Sequence, residues 1–400
     1  MKLKYGLAGF AGMVLAAGAA NAQISDNVIK IGVLNDQSGL YADITGQGSV
    51  LAARMAAEDV GKIGNTTVEI VFADHQNKPD VGSTVVRQWI DQDKVDAIAD
   101  VPTSSVALAV QQITKEKKRL FLMSGPASSD LTGKACSPYG FHFAYDTYML
   151  AIGTGTALTK SGGDTWFFLT ADYAFGHALE RDAGEAVKAA GGKVVGAVRH
   201  PLNTSDFSSF LLQAQNSKAK IIGLANAGGD TINSIKQAAE FGIVAGGQRL
   251  AGLLVFVTDV HALGLKTAQG LVVTESFYWD MNDETRKFSK RFFDKHGKQP
   301  SMVQAGVYSG VAHYLKAVKA AGTDDPDKVA AEMRKTPVND FFTKNAAIRA
   351  DGRIMRDAYL WQVKAPAESK GAWDYYKLVA TIPAEQAARP LKDGGCDLVK

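Results

Sequence analysis

Two hydroxyl-rich segments carry the most evident chemistry in the chain: Val101-Pro102-Thr103-Ser104-Ser105 and Ser124-Gly125-Pro126-Ala127-Ser128-Ser129. Each combines side-chain hydroxyls with backbone N–H groups at a bend. Such donors can hold a small anion, a carboxylate for example, above all where a helix begins. The same residue types cap helices and build turns. One such loop alone would favour that plainer reading, and two in succession bring the anion reading level with it. The elements that must position them lie on either side. Residues 97–100 and 120–123 are short apolar runs of strand type. Between them, residues 106–117 have helical period, with Val106, Val110, Ile113 and Lys117 on one face. In a parallel sheet both loops fall at the carboxyl edge, where open α/β sheets bind ligands.

The same alternation runs through most of the chain. Strands are expected at 28–35, 67–73, 140–144, 165–169, 193–198, 219–224, 249–255 and 270–275. Helices are expected at 49–61, 79–91, 147–160, 178–190 and 231–241, with another after Ser205-Asp206 that places Phe207, Phe210, Leu211 and Ala214 on one face. Repeated β-α units of this length imply an α/β fold with parallel sheets. Helices at 283–296, 301–321 and 325–336 then precede two late strands at 356–364 and 373–380, so the chain is expected to return to its first half.

The composition is that of a globular protein with room for two domains: 400 residues, 46% hydrophobic and 21% charged. The net charge of +3 and the absence of a basic cluster exclude a nucleic-acid footprint. Lys2 and Lys4, the apolar stretch 5–20 and the small-x-small box Ala20-Asn21-Ala22 read as a signal peptide over residues 1–22, cleaved after Ala22. The box and the modest hydrophobicity argue against an uncleaved anchor. Cleavage removes two lysines and no acid, which leaves +1. No later apolar stretch is long enough to span a bilayer. A periplasmic protein is expected. In that oxidising compartment the two cysteines, Cys136 and Cys396, are expected to pair and tie the C-terminal tail to the first half; two free thiols are the alternative.

Catalytic patterns are missing. No G-x-G-x-x-G follows a strand, and there is no Walker A sequence, G-x-S-x-G elbow, H-E-x-x-H or C-x-x-C. The seven histidines are scattered without ligand spacing, and Asp74-His75 reads as a strand-end turn. A binder is therefore expected: no enzyme, no catalytic residue, no metal and no cofactor.

Taken in order, Ile29-Lys30-Ile31-Gly32-Val33-Leu34, Ser38-Gly39-Leu40-Tyr41-Ala42, Ser104-Ser105, Ser124 to Thr132, Asp172-Tyr173-Ala174-Phe175-Gly176 and Asp206-Phe207-Ser208 carry a likeness that covers the whole mature chain. The chain resembles the periplasmic solute-binding proteins of branched-chain-amino-acid-type ABC importers, the leucine/isoleucine/valine-binding-protein-like group. The resemblance implies a type I periplasmic binding protein, with two Rossmann-like lobes joined by three hinge crossings that close on a ligand. Its bounds would be 23–144 and 276–352 for lobe 1, 145–275 and 353–388 for lobe 2, and a tail at 389–400 returning to lobe 1. It implies a monomer whose partners are a small carboxylate ligand and membrane permease subunits. It assigns the carboxylate to Thr103, Ser104, Ser105, Ala127 and Ser128, and aromatic contacts to Tyr41 and to Tyr173 or Phe175.

One departure from the leucine-type pattern bears on the ligand. The acid that would meet a ligand ammonium is matched by Phe256, and the neighbouring loop carries Asn226. Asp230 reads as a helix cap, with Asp259 a weaker substitute. A buried, unpaired ammonium costs several kcal/mol. An acid with an aromatic body and no amine, such as a benzoate, is therefore expected against Tyr173, Phe175, Phe256 and Tyr278. A branched-chain or other amino acid, or an amide, is the alternative, and a sensing partner of a membrane receptor a further one.

Overall fold

A computed structural model describes residues 24–399; the expected signal peptide and its cleavage point lie outside the described residues. The continuous apolar runs become parallel strands. β1 (Val28–Asn35), β2 (Thr67–Asp74), β3 (Ala97–Asp100), β4 (Leu120–Met123) and β5 (Gly140–His142) form one sheet in the order β2-β1-β3-β4-β5. Every residue of β3 and β4 is buried, as expected for inner strands covered on both faces. Helices α1 (Gly46–Val60), α2 (Pro79–Asp91) and α3 (Ser104–Lys117) make the crossovers.

The second half repeats the plan. α4 (Thr147–Leu150), a π-helical turn (Ala151–Gly155) and α5 (Thr156–Lys160) form the expected helix at 147–160, with its middle turn widened. β6 (Thr165–Ala171), β7 (Lys193–His200), β8 (Ile221–Ala225) and β9 (Arg249–Gly252) form a second parallel sheet, ordered β7-β6-β8-β9. α6 (Ala174–Ala189), α7 (Ser208–Asn216) and α8 (Gly229–Glu240) connect them. The strand expected at 249–255 stops at Gly252, and the chain turns into two short helices that the periodicity does not indicate, α9 (Val257–Leu263) and α10 (Leu265–Ala268).

α11 (Asp283–His296), α12 (Met302–Ala321) and α13 (Pro326–Lys335) follow β10 (Val272–Glu275), and α12 packs on α1, β3 and β4, so the chain does return to the first lobe. β10, β11 (Ala358–Val363) and β12 (Tyr376–Ile382) form a small antiparallel sheet, and α14 (Ala384–Ala387) leads to the tail. Cys136 and Cys396 are bonded, with their Cα atoms 5.6 Å apart. Arg389 Nη2 also donates to Ser129 O at 2.8 Å, which lays the tail against the first lobe.

Three segments cross between the lobes and are stitched to one another. Ser276 Oγ donates to Ala144 O at 2.8 Å. His142 N donates to Gly352 O and Ile354 N to His142 O, at 2.9 and 3.2 Å. Arg353, fully buried in the third crossing, places Nε 3.3 Å from Asp146 Oδ2 in the first. The architecture is a two-lobed α/β fold with a parallel sheet in each lobe and crossings placed as a hinge.

Candidate ligand cleft

Strand order reverses between β1 and β3 in the first sheet and between β6 and β8 in the second. Crevices at such reversals are where open α/β sheets bind ligands. The loops that leave these strands face each other across the interlobe cleft and enclose a cavity of about 10 Å³. Tyr41, Ile44, Pro102, Gly125 and Ala127 form its first-lobe wall. Tyr145 reaches in from the first crossing, and Tyr173, Phe175, Ala227 and Leu254 complete the wall from the second lobe. That volume is close to what one water needs. The lobes are in a closed arrangement that leaves no room between them for a molecule much larger than water.

Asp36 shapes the first loop. Its carboxylate accepts Gly39 N at 2.7 Å, Tyr41 N at 2.9 Å and Asn77 Nδ2 at 2.7 Å, which fixes Tyr41 on the wall. The Tyr41 hydroxyl meets that of Tyr173 across the cleft at 2.5 Å. Burial pushes both phenols above their ordinary pKa, so both are neutral. Tyr145 Oη donates to Gly125 O at 2.8 Å and braces the second hydroxyl-rich loop.

The first hydroxyl-rich loop starts from a strained turn. Asp100 and Val101 have φ of 76° and 60°, left-handed values that a β-branched residue rarely adopts. This turn brings Pro102 to the wall and starts α3 at Ser104, two residues earlier than its periodicity indicates. Ser104 and Ser105 therefore belong to the first helical turn, whose N–H groups receive no side-chain cap from Thr103. The Thr103 hydroxyl bonds Asn77 Oδ1 instead. Ser104 Oγ accepts Ser128 N at 3.2 Å, so the two hydroxyl-rich loops are joined directly. Asp100 lies beneath them with its pKa pushed up to about 6 by burial, and accepts Asn35 Nδ2 at 3.0 Å.

Of the residues named from sequence, Tyr41, Ala127, Tyr173 and Phe175 stand on the cavity wall. Thr103, Ser104, Ser105 and Ser128 lie behind Pro102 and Ala127 rather than on it. Asn226 is occupied inside the second lobe, accepting from Thr231 Oγ1 at 2.7 Å and placing Nδ2 3.1 Å from both His200 Nε2 and Ser234 Oγ. Phe256 is fully buried and packs edge-on against Tyr145, with centroids 6.1 Å apart, and Leu254 is the residue that reaches the cavity. Tyr278 lies elsewhere: its hydroxyl donates to Trp373 O at 2.7 Å and its ring packs at a tilt against Trp361 and Tyr376. Pro102 and Gly125 line the cavity as members of the two hydroxyl-rich loops, whereas Ile44, Tyr145, Ala227 and Leu254 line it without any distinguishing sequence signal.

Among the described residues, no charged side chain lines the cavity. Asp230 is buried, and its two carboxylate oxygens accept Asn203 N at 3.1 Å and Thr204 N at 2.8 Å. Burial raises its pKa to about 6, and its charge reaches both Tyr41 and Tyr173. Asp259 accepts Phe256 N at 2.9 Å and is pushed up to about 7 by burial. Among the described residues, no group of His, Cys, Asp or Glu is placed to hold a metal, and no helix is long and apolar enough to cross a membrane.

The family model described as "Periplasmic binding protein" matches residues 28–372. A solved periplasmic binding protein from Burkholderia mallei is 53% identical, covering 94% of this chain and 100% of that one with a TM-score of 0.91. A branched chain amino acid ABC transporter periplasmic ligand-binding protein from Burkholderia xenovorans is 43% identical, covering 93% and 100% with a TM-score of 0.83. Leu/Ile/Val-binding protein homolog 6 of Brucella melitensis is 28% identical over 83% of this chain and 85% of its own length. An R. palustris solute-binding protein in complex with 4-hydroxybenzoate is 25% identical, covering 89% and 97% with a TM-score of 0.79.

Proposed function

Because the chain belongs to the periplasmic binding protein family, we propose that it is the solute-capturing component of an ABC importer, closing its lobes on a small carboxylate-bearing molecule and presenting it to membrane permease subunits. The observation that carries this reading is the cavity between the two strand-order reversals, walled by both lobes and by the first crossing. The two joined hydroxyl-rich loops and the uncapped first turn of α3 supply donors of the right kind for a carboxylate. In this reading Thr103, Ser104, Ser105 and Ser128 hold the carboxylate once the ligand has entered and the lobes close on it.

A branched-chain or other amino acid is the ligand that the relatives favour. The B. xenovorans protein is named for branched-chain amino acids and the Brucella protein for leucine, isoleucine and valine. An ammonium would then sit near Tyr41 and Tyr173, within the field of Asp230. An aromatic acid is the second reading, supported by a wall of three tyrosines and a phenylalanine without a charge. Both oxygens of Asp230 are already occupied by backbone N–H groups, which also supports an amine-free ligand.

Calorimetric titration of leucine, benzoate and 4-hydroxybenzoate into wild type and Asp230→Asn separates them. Leucine binding weakened by Asp230→Asn supports the amino-acid reading. Benzoate or 4-hydroxybenzoate binding indifferent to that change supports the aromatic one. Failure of a wider panel of amino acids and aromatic acids to bind wild type overturns the small-carboxylate reading.

A further inference from the structure

We propose that Asp182, on α6 of the second lobe, is a positioning residue for the first-lobe loop at 126–130, and that together with Arg181 it braces the lobes in their closed arrangement. A carboxylate in mid-helix with only 5% of the residue exposed is costly unless its oxygens are filled. Here they are filled largely from outside its own helix. Ser129 Oγ donates to Asp182 Oδ2 at 2.7 Å and Thr147 Oγ1 at 2.5 Å, while Arg181 Nε donates to Oδ1 at 2.8 Å. Arg181 reaches on to Ser129 Oγ at 2.8 Å and to Asp130 Oδ1 at 3.1 Å.

The contacts form a ring that passes through the cavity wall. Thr147 N donates to Ala127 O at 2.8 Å, and Ser129 N donates to Thr147 Oγ1 at 3.0 Å. Ala127 is on the first-lobe wall. On the other side, α6 begins at its N-cap Tyr173 and carries Phe175 in its first turn, both on the second-lobe wall. Asp182 stands two helical turns from Phe175 on the same face. The ring thus sets the second lobe's aromatic wall at a fixed distance from the hydroxyl-rich loop of the first lobe. A solvated ion pair does little of this kind; the Asp182 side chain, 4% exposed, is screened far less.

The proposal rests on closure of two lobes, not on which ligand they hold, and its test needs no ligand. Spin labels at Lys62→Cys and Lys218→Cys, exposed positions on opposite lobes, report the interlobe distance by pulsed electron resonance in the mature, ligand-free protein. Asp182→Asn is expected to lengthen and broaden the distance distribution, Ser129→Ala to do so in part, and Asp182→Glu to restore some of the short component. Asp206→Asn, an exposed acid on the same lobe, should leave it unchanged. A folded Asp182→Asn protein with the wild-type distribution overturns the proposal. Where Asp182→Asn does not fold, the double variant Ser129→Ala/Arg181→Met is measured in its place: a longer, broader distribution supports the brace, and an unchanged one overturns it equally.

Discussion

Tyr41 and Tyr173 meet hydroxyl to hydroxyl across the cleft at 2.5 Å, a direct polar contact between the lobes at the wall of the cavity. Tyr41 is carried by a loop that Asp36 holds through three backbone N–H groups, those of Ser38, Gly39 and Tyr41, and Tyr173 is the N-cap of α6. Both phenols are neutral, so one hydroxyl donates and the other accepts. A ligand entering the cavity must part this pair or rearrange around it.

Tyr173→Phe leaves the buried Tyr41 hydroxyl without its partner only while the lobes are closed. An unsatisfied buried donor costs about 1–3 kcal/mol, so the closed arrangement loses roughly that much against the open one. Small-angle scattering of the ligand-free variant should give a larger radius of gyration than wild type. An unchanged profile would remove the pair from any part in closure.

Gly228 makes a second backbone approach between the lobes. Its φ is +55°, and a Cβ there would lie 2.4 Å from Leu40 O and 3.0 Å from Tyr41 Cδ1. Beside it, Gly229 N donates to the same Leu40 carbonyl at 3.2 Å. Gly228→Ala is therefore expected to act twice. The backbone there, with φ +55° and ψ −131°, is one that only glycine adopts readily and costs an alanine about 1–3 kcal/mol of stability whether the lobes are open or closed, whereas the clash with Leu40 exists only on closure. Thermal unfolding should show a modest loss, and scattering a protein that stays open. A variant as compact as wild type would show that the two loops can shift past each other.

What the sequence makes legible follows from which residues face constant surroundings. β3 and β4 are apolar throughout because both faces of the sheet are covered, and α2 reads cleanly because Val86 and Trp89 are packed while Arg87 and Gln88 are solvated. Helix starts are less legible. Ser104, Ser105, Gly229 and Asp230 read as loop residues but belong to first turns, where no preceding turn imposes a hydrophobic period. The cavity wall is only partly readable for a related reason. Tyr41, Tyr173 and Phe175 announce themselves as aromatics in loops, while Leu254 reaches the wall in place of the expected Phe256 because the chain bends at Gly252 instead of continuing as a strand. The left-handed pair Asp100-Val101 has no sequence signal at all, since neither residue is one that favours that conformation enough to mark it.

Asp259 gives a pH dependence with a definite sign. Burial raises its carboxyl from the usual 3.8 to about 7, only partly offset by the Phe256 N–H it accepts and reinforced by Asp43. Buried Glu275, itself raised by burial and hydrogen-bonded by Tyr376 Oη at 2.7 Å, is the other acid near it. Between about pH 4 and pH 7 the folded protein keeps a proton on Asp259 that the unfolded chain has given up, so this group makes stability fall as pH rises through that window. Buried His75 and His142, lowered to about 4 and about 3, act in the opposite direction but are common to wild type and variant. Asp259→Asn keeps an acceptor for Phe256 N–H and cannot ionise. Its stability relative to wild type should improve steadily from pH 4 to pH 8 in denaturant titrations. A difference that is flat with pH would mean that Asp259 is already ionised in the folded protein.

Ser104 separates the anion-binding role of the hydroxyl-rich loops from a purely structural one. Its Oγ accepts Ser128 N at 3.2 Å and is fully buried, so the hydroxyl has an acceptor task within the loops while its own proton remains able to donate. Ser104→Ala strands the Ser128 N–H, at a cost of about 1–3 kcal/mol in stability. If that is its only task, unfolding changes and ligand affinity does not. If the hydroxyl also donates to a ligand carboxylate, a hydrogen bond to a charged group worth roughly 1.5–3 kcal/mol is lost as well, about tenfold to a hundredfold in Kd. The expected outcome is both effects together, measured by thermal unfolding and by calorimetry with whichever of leucine, benzoate or 4-hydroxybenzoate binds wild type. Lost stability with unchanged Kd would assign Ser104 to the scaffold and move the carboxylate to the backbone N–H groups of α3.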